Sequence, residues 1–135
     1  MALIAFNAPC AERPFTLTTN RRTWAGRVLT GAGLALLPWM GYLAGTLPPT
    51  EAAAWVALDA AEAACLLIAG TRLTNGRSGH RAAAAAAAVL LVTDAYVDVA
   101  TAGPGSELLG AVAMAVGAEL PLAITCAALA VRSPR

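Results

Sequence analysis

Charge is scarce in this chain. Only 13% of its 135 residues are Asp, Glu, Lys or Arg, against roughly a quarter in soluble domains, while 59% are apolar. So small a charged share excludes water as the main solvent for a single domain of this length. Lysine is absent, the nine basic residues are all arginine, and a net charge of +1 leaves no basic stripe of the kind nucleic acid requires. Histidine occurs once, as His80 between Gly79 and Arg81, where it reads as a solvated loop residue. No Ser/His/Asp set, Cys/His pair, Glu-x-x-His motif or Walker loop is present, so no catalytic signature is found and no cofactor is expected. The three cysteines, Cys10, Cys65 and Cys126, match neither a disulfide framework nor a metal pattern. Cys65 and Cys126 fall in apolar stretches and read as small packing residues.

What is abundant is apolar sequence in long blocks. Four stretches approach the roughly 20 residues a helix needs to cross a bilayer: Val28 to Leu47, Ala52 to Thr71, Ala82 to Ala102 and Leu108 to Val131. Helix breakers separate them. The first connection is Pro48-Pro49-Thr50-Glu51, with Thr50 in the position of an N-cap and Glu51 favourable to the helix dipole. The second holds Asn75-Gly76 and Gly79, and the third is Gly103-Pro104-Gly105-Ser106. Connections this short demand antiparallel neighbours. The expected architecture is therefore all-α: an integral membrane four-helix bundle of up-down topology spanning residues 24–132.

Arginine placement sets the expected direction. Arg13, Arg21, Arg22 and Arg27 precede the first span, Arg72, Arg77 and Arg81 surround the second connection, and Arg132 and Arg135 follow the last span. The first and third connections have none. By the positive-inside rule both termini and the middle connection are cytoplasmic, in a multi-pass protein of the cell membrane. The apolar start, Met1 to Phe6, is too short for a signal-peptide core and its arginines follow it, so no cleavage is expected. Met1 to Thr23 reads as a cytoplasmic tail, poorly ordered or lying on the membrane surface, and 133–135 as a short C-terminal one.

Five of the eight acidic residues fall inside spans: Asp59 and Glu62 in the second, Asp94 and Asp98 in the third, Glu119 in the fourth. No span holds an interior base. Each such acid costs roughly 2.5 to 3.5 kcal/mol at a helix centre, and each leucine or valine returns only about 0.3 to 0.6. The second and third spans are thus unfavourable alone in lipid, and their acids must face each other, water, a cation, or carry protons. Spacing agrees: Asp59 and Glu62 are three apart and Asp94 and Asp98 four apart, which puts each pair on one helix face. At 1.5 Å per residue, Asp59 lies about 10 Å and Glu62 about 15 Å from the outer end of their span, with Asp94, Asp98 and Glu119 between about 6 and 16 Å. The acids therefore occupy the outer half or midplane, above an apolar inner half built from Leu66, Leu67, Ile68, Ala82 to Ala88 and Ile124.

Trp39 and Tyr42 fall at similar depth, and Trp55 and Tyr96 join them. Aromatic faces beside carboxylates suit a cation, although the same residues also serve as interfacial belt anchors. Pro121 and Pro38 remove helical donors from the Gly117 and Leu34 carbonyls, which produces either a simple kink or a carbonyl free to meet an ion or water. Helix contact is expected at small residues, Gly41-x-x-x-Gly45 and Ala82 to Ala88. So small a bundle is expected to self-associate, with Gly41 and Gly45 as one candidate face.

The segment Thr93-Asp94-Ala95-Tyr96-Val97-Asp98-Val99, with Asp59-x-x-Glu62 and Glu119-Leu120-Pro121, resembles a group of small four-span actinobacterial membrane proteins over roughly Trp55 to Leu129. The resemblance implies shared architecture and no particular activity. Small multidrug-resistance exporters rely on a glutamate in the first helix, which is lacking here. Sterol isomerase and sigma-2-like bundles share only the chemical theme of acids and aromatics in a small bundle.

Three functions fit these residues. In the first, Asp59, Glu62, Asp94, Asp98 and Glu119, with Trp39, Tyr42, Trp55 and Tyr96, form an outward-facing site for protons or a cation in a small carrier, since five acids without bases cannot all ionise together. In the second, the same carboxyls act as general acid and base in an intramembrane isomerase or cyclase of an isoprenoid or sterol-like lipid. In the third, the chain is a structural subunit of a membrane complex, its acids paired with a partner's arginines.

Overall fold

The computed structural model describes residues 15–131, with side chains from residue 20 onward. The expected tail lies outside the described residues as far as residue 14, and so do Cys10, Arg13, Arg132 and the C-terminal segment 133–135.

All regular structure in the described chain is helical: α1 (Phe15–Thr46), α2 (Pro49–Thr74), α3 (His80–Thr101) and α4 (Ser106–Val131). Each is long and apolar enough to cross a membrane, which makes the chain a multi-pass membrane protein in character. Helix α1 is already helical at Phe15, well before the expected first residue of its span, and no proline interrupts it between Phe15 and Pro38. That proline sits on the exposed side of a helix that runs through it.

The connections follow the breakers, with one correction. Thr50 is not the cap of α2: the helix starts at Pro49, whose fixed φ and missing N–H suit a first helical position. At the other end of α2, Gly76 takes φ +64°, and the N–H groups of Gly76 and Arg77 donate to the carbonyls of Leu73 and Arg72. This pair of hydrogen bonds satisfies carbonyls that the helix end leaves free. Before α4, the Gly103 N–H donates to Glu107 Oε2 at 3.1 Å.

Helix α1 packs along α2, α2 against α3, and α3 against α4, so neighbours in sequence are neighbours in space. The α1–α2 seam is set by glycine. A methyl group on Gly70 would stand 2.6 Å from the Gly26 carbonyl oxygen, and one on Gly33 would stand 2.9 Å from Leu67 Cγ. In a solvent as apolar as the side chains themselves, such backbone proximity is what gives helices dispersion contact. Thr30 and Thr74 flank the seam and donate to the Gly26 and Gly70 carbonyls. Gly41 and Gly45, the expected contact motif, have no neighbour within 4 Å on the side a Cβ would occupy. The motif supplies small residues but faces away from α2, and the helices meet at a different set.

The alanine tract divides by face. Ala84 and Ala87 are buried with Leu29, Leu66, Leu91, Ala123 and Cys126 in the hydrophobic core, Ala83 and Ala88 pack on its edge, and Ala82, Ala85 and Ala86 are exposed. Large apolar side chains, among them Leu34, Ile68, Val89, Leu109 and Ile124, point outward and touch little of the protein. Acids are buried and hydrocarbon is exposed, the reverse of a soluble bundle.

Candidate functional site: a carboxylate-lined cavity

The helical spacing of the acids does what the sequence requires of it. Asp59 and Glu62 on α2, Asp94 and Asp98 on α3, and Glu119 on α4 all line one cavity of about 540 Å³ to which α1 also contributes. Asp59, Glu62, Asp94 and Glu119 are each at most 8% exposed, and Asp98 is partly buried. One carboxylate oxygen from each of Asp59, Glu62 and Asp94 lies within 4.8 Å of the others. Asp59 Oδ2, Glu62 Oε1, Asp94 Oδ1 and Glu119 Oε2 are buried without a hydrogen-bond partner among the described residues. Among the described residues no arginine, histidine or cysteine lines the cavity.

Unpaired carboxylates in such surroundings are costly, by several kcal/mol each when ionised. Two carboxylates a few ångströms apart add mutual repulsion. The arrangement is favourable only when protons, a cation or both neutralise it. Chemically the cavity can hold a positive charge, exchange it for protons, or present a protonated carboxyl beside an ionised one.

The aromatics separate into two groups. Trp39 and Trp55 line the cavity with the acids. Tyr42 stacks on Trp39 with ring centroids 5.5 Å apart, outside the cavity and 58% exposed, and Tyr96 is 73% exposed. Both tyrosines thus stand on the exposed outer surface of the bundle.

One end of the cavity is apolar. Leu36, Leu66, Leu91 and Leu122 line it, roughly one turn along each helix from Trp39, Glu62, Asp94 and Glu119. Leu66 and Leu91 also belong to the hydrophobic core, which continues into Ala69, Ala87 and Cys126. At the other end the lining includes Leu43, Leu47 and Trp55.

The fourth helix holds the feature that sequence reasoning did not reach. Between Ser106–Met114 and Leu120–Val131, residues Ala115–Glu119 form a π-helical turn, and the Leu120 N–H donates to the Ala115 carbonyl. Pro121 has no N–H and its ring crowds the carbonyl four residues back, so widening the preceding turn relieves a clash that would otherwise bend the helix. Glu119 closes this turn and is buried in the cavity wall. The signal was present as Gly117-x-Glu119-x-Pro121, but proline alone does not distinguish a kink from a π-turn.

No protein family, curated protein or solved structure matches the chain.

Proposed function

We propose that this protein is a small carrier-type membrane protein whose carboxylate cavity binds a cation in exchange for protons. One observation carries this reading: four buried carboxylate oxygens from three helices, without hydrogen-bond partners among the described residues, share a cavity whose described lining holds no base. A bound cation and a set of protons are alternative ways to neutralise that cavity, so binding one displaces the other. The arginine pattern supports cytoplasmic ends in the cell membrane and a cavity opening outward. Two contacts support alternating helix direction: Gly26 near the start of α1 meets Gly70 near the end of α2, and Arg81 at the start of α3 donates to the Ala130 carbonyl at the end of α4. The apolar Leu36, Leu66, Leu91 and Leu122 end then faces the cytoplasm and closes the pocket on that side. The likeness of Thr93 to Val99 to small four-span actinobacterial membrane proteins is part of this proposal and brings no activity with it.

Reconstitution into liposomes tests the reading. Cation-dependent proton movement should be measurable with the native chain and lost in Asp94→Asn and Asp98→Asn. Equal flux and equal cation-dependent thermal stability in native protein and variants would overturn it.

A second reading is favoured by the dead-ended, largely apolar cavity, a shape that suits a lipid-soluble substrate better than it suits a through-path. In it, a protonated carboxyl and its ionised neighbour serve as general acid and base on an isoprenoid or sterol-like lipid. Identical lipid extracts from cells with and without the gene would remove it.

A further inference from the structure

We propose that Asp59, Glu62 and Asp94 form a site for one hard divalent cation of the magnesium, manganese or calcium class. The inference rests on the reading of the cavity as a cation pocket and names the cation. Oxygen ligands sit about 2.0 to 2.6 Å from such ions, so two ligands of the same ion stand at most about 4 to 5 Å apart. The three carboxylate oxygens already lie within 4.8 Å of one another. They come from two helices, with Asp59 and Glu62 on adjacent turns of α2 and Asp94 facing them from α3, so the backbone presents the donors without a dedicated loop.

The donor chemistry narrows the ion. Every charged donor among the described residues of the lining is a carboxylate; Cys65, Cys126 and His80 are not in it. Oxygen-only sites favour hard cations over zinc or copper, which draw on thiolate and imidazole. Charge points the same way. A primary ammonium could reach the same three oxygens, but brings one positive charge to three carboxylates, where a dication offsets two. Glu119 provides a separate indication of a ligand. It lies on another helix, is 7% exposed, and its Oε2 has no partner among the described residues while its side chain lines the same cavity. The cavity, about 540 Å³, has room for several waters at about 30 Å³ each, enough to complete a six- to eight-fold shell around an ion held by three carboxylates.

Manganese tests the site directly. The full-length chain in detergent at neutral pH is titrated with Mn²⁺, with free ion followed by electron paramagnetic resonance and unfolding followed by heat. One Mn²⁺ per chain is expected, displaced by Mg²⁺ or Ca²⁺ but not by methylammonium. Asp59→Asn, Glu62→Gln and Asp94→Asn should each weaken binding by about tenfold or more, and Asp98→Asn by less. Asp94→Glu, which keeps the charge, should bind Mn²⁺ more tightly than Asp94→Asn, a difference that a purely structural role would not produce. Elution profile and helicity verify that each variant is folded. If Mn²⁺ does not bind, or binds equally to native protein and folded trio variants, the inference is overturned. Should methylammonium or a tetraalkylammonium then stabilise the native chain but not Asp94→Asn, the cation-pocket reading survives without the divalent site. If no cation stabilises the protein, both fail.

Discussion

Gly26 and Gly70 face each other across the first two helices so closely that a methyl group on Gly70 would stand 2.6 Å from the Gly26 carbonyl oxygen. That contact fixes the approach of α1, which supplies the Trp39 wall of the cavity. Gly70→Val should therefore destabilise the bundle, by about 1 to 3 kcal/mol as overpacking of a tight interior does. Gly41→Val and Gly45→Val, which meet open space, should leave the unfolding of the single chain nearly unchanged. Thermal or SDS-induced unfolding in detergent distinguishes them, and equal losses at all three positions would contradict the seam.

Cation binding should raise stability through mass action. At a hundredfold excess over the dissociation constant the gain is about 2.7 kcal/mol. Asp94→Asn should remove this cation-dependent part while the cation-free protein unfolds at or above the native temperature, since one of several crowded acids has gone. The measurement is a melting curve with and without cation.

The same stabilisation should shrink as pH falls. Carboxylates ligate only when deprotonated, so protons compete with the cation and binding releases protons. The cation-induced shift in melting temperature should be largest at neutral to mildly alkaline pH and vanish under acid conditions. A shift that grows on acidification would oppose the exchange reading.

Pro121→Ala restores the missing N–H and removes the reason for the π-turn. The expected result is a regular α-helix in which Glu119 turns away from the cavity, with thermal stability kept or raised and cation affinity reduced. Unchanged affinity would mean that the turn does not serve the site.

Leu66 is 1% exposed where the cavity meets the core. Leu66→Ala should cost about 2 to 5 kcal/mol, because it removes packed methyl groups and leaves space the helices cannot fully collapse into. Denaturant or thermal unfolding checks the value.

Much of this was legible in the sequence because lipid enforces simple rules. Four apolar blocks, their breakers and the three- and four-residue spacing of the acids lead to four helices and one shared acidic cavity, since a buried acid has few other places to go. Leu66, at the closed apolar end, was equally legible from its position one turn beyond Glu62. The seam was not: Gly26, Gly33 and Gly70 look no different from Gly41 and Gly45, and only relative helix rotation decides which glycines meet. Rotation also decides which aromatics reach the cavity: Trp39 and Trp55 line it, while Tyr42, stacked on the outer side of Trp39, and Tyr96 do not. Thr50 is not the cap because proline, already suited to a helix start, places the first helical residue at Pro49, three residues upstream of the expected span.

The outward side chains, Leu34, Ile68, Val89, Leu109 and Ile124 among them, make few contacts within the protein. Their identity answers to the surrounding solvent alone. The instructions for fold and site therefore reside in the inward half of each helix, and the outward half is a coat. Recoating it with polar residues, while leaving Gly26, Gly70 and the five acids in place, is the natural route to a water-soluble analogue that keeps the acidic chamber.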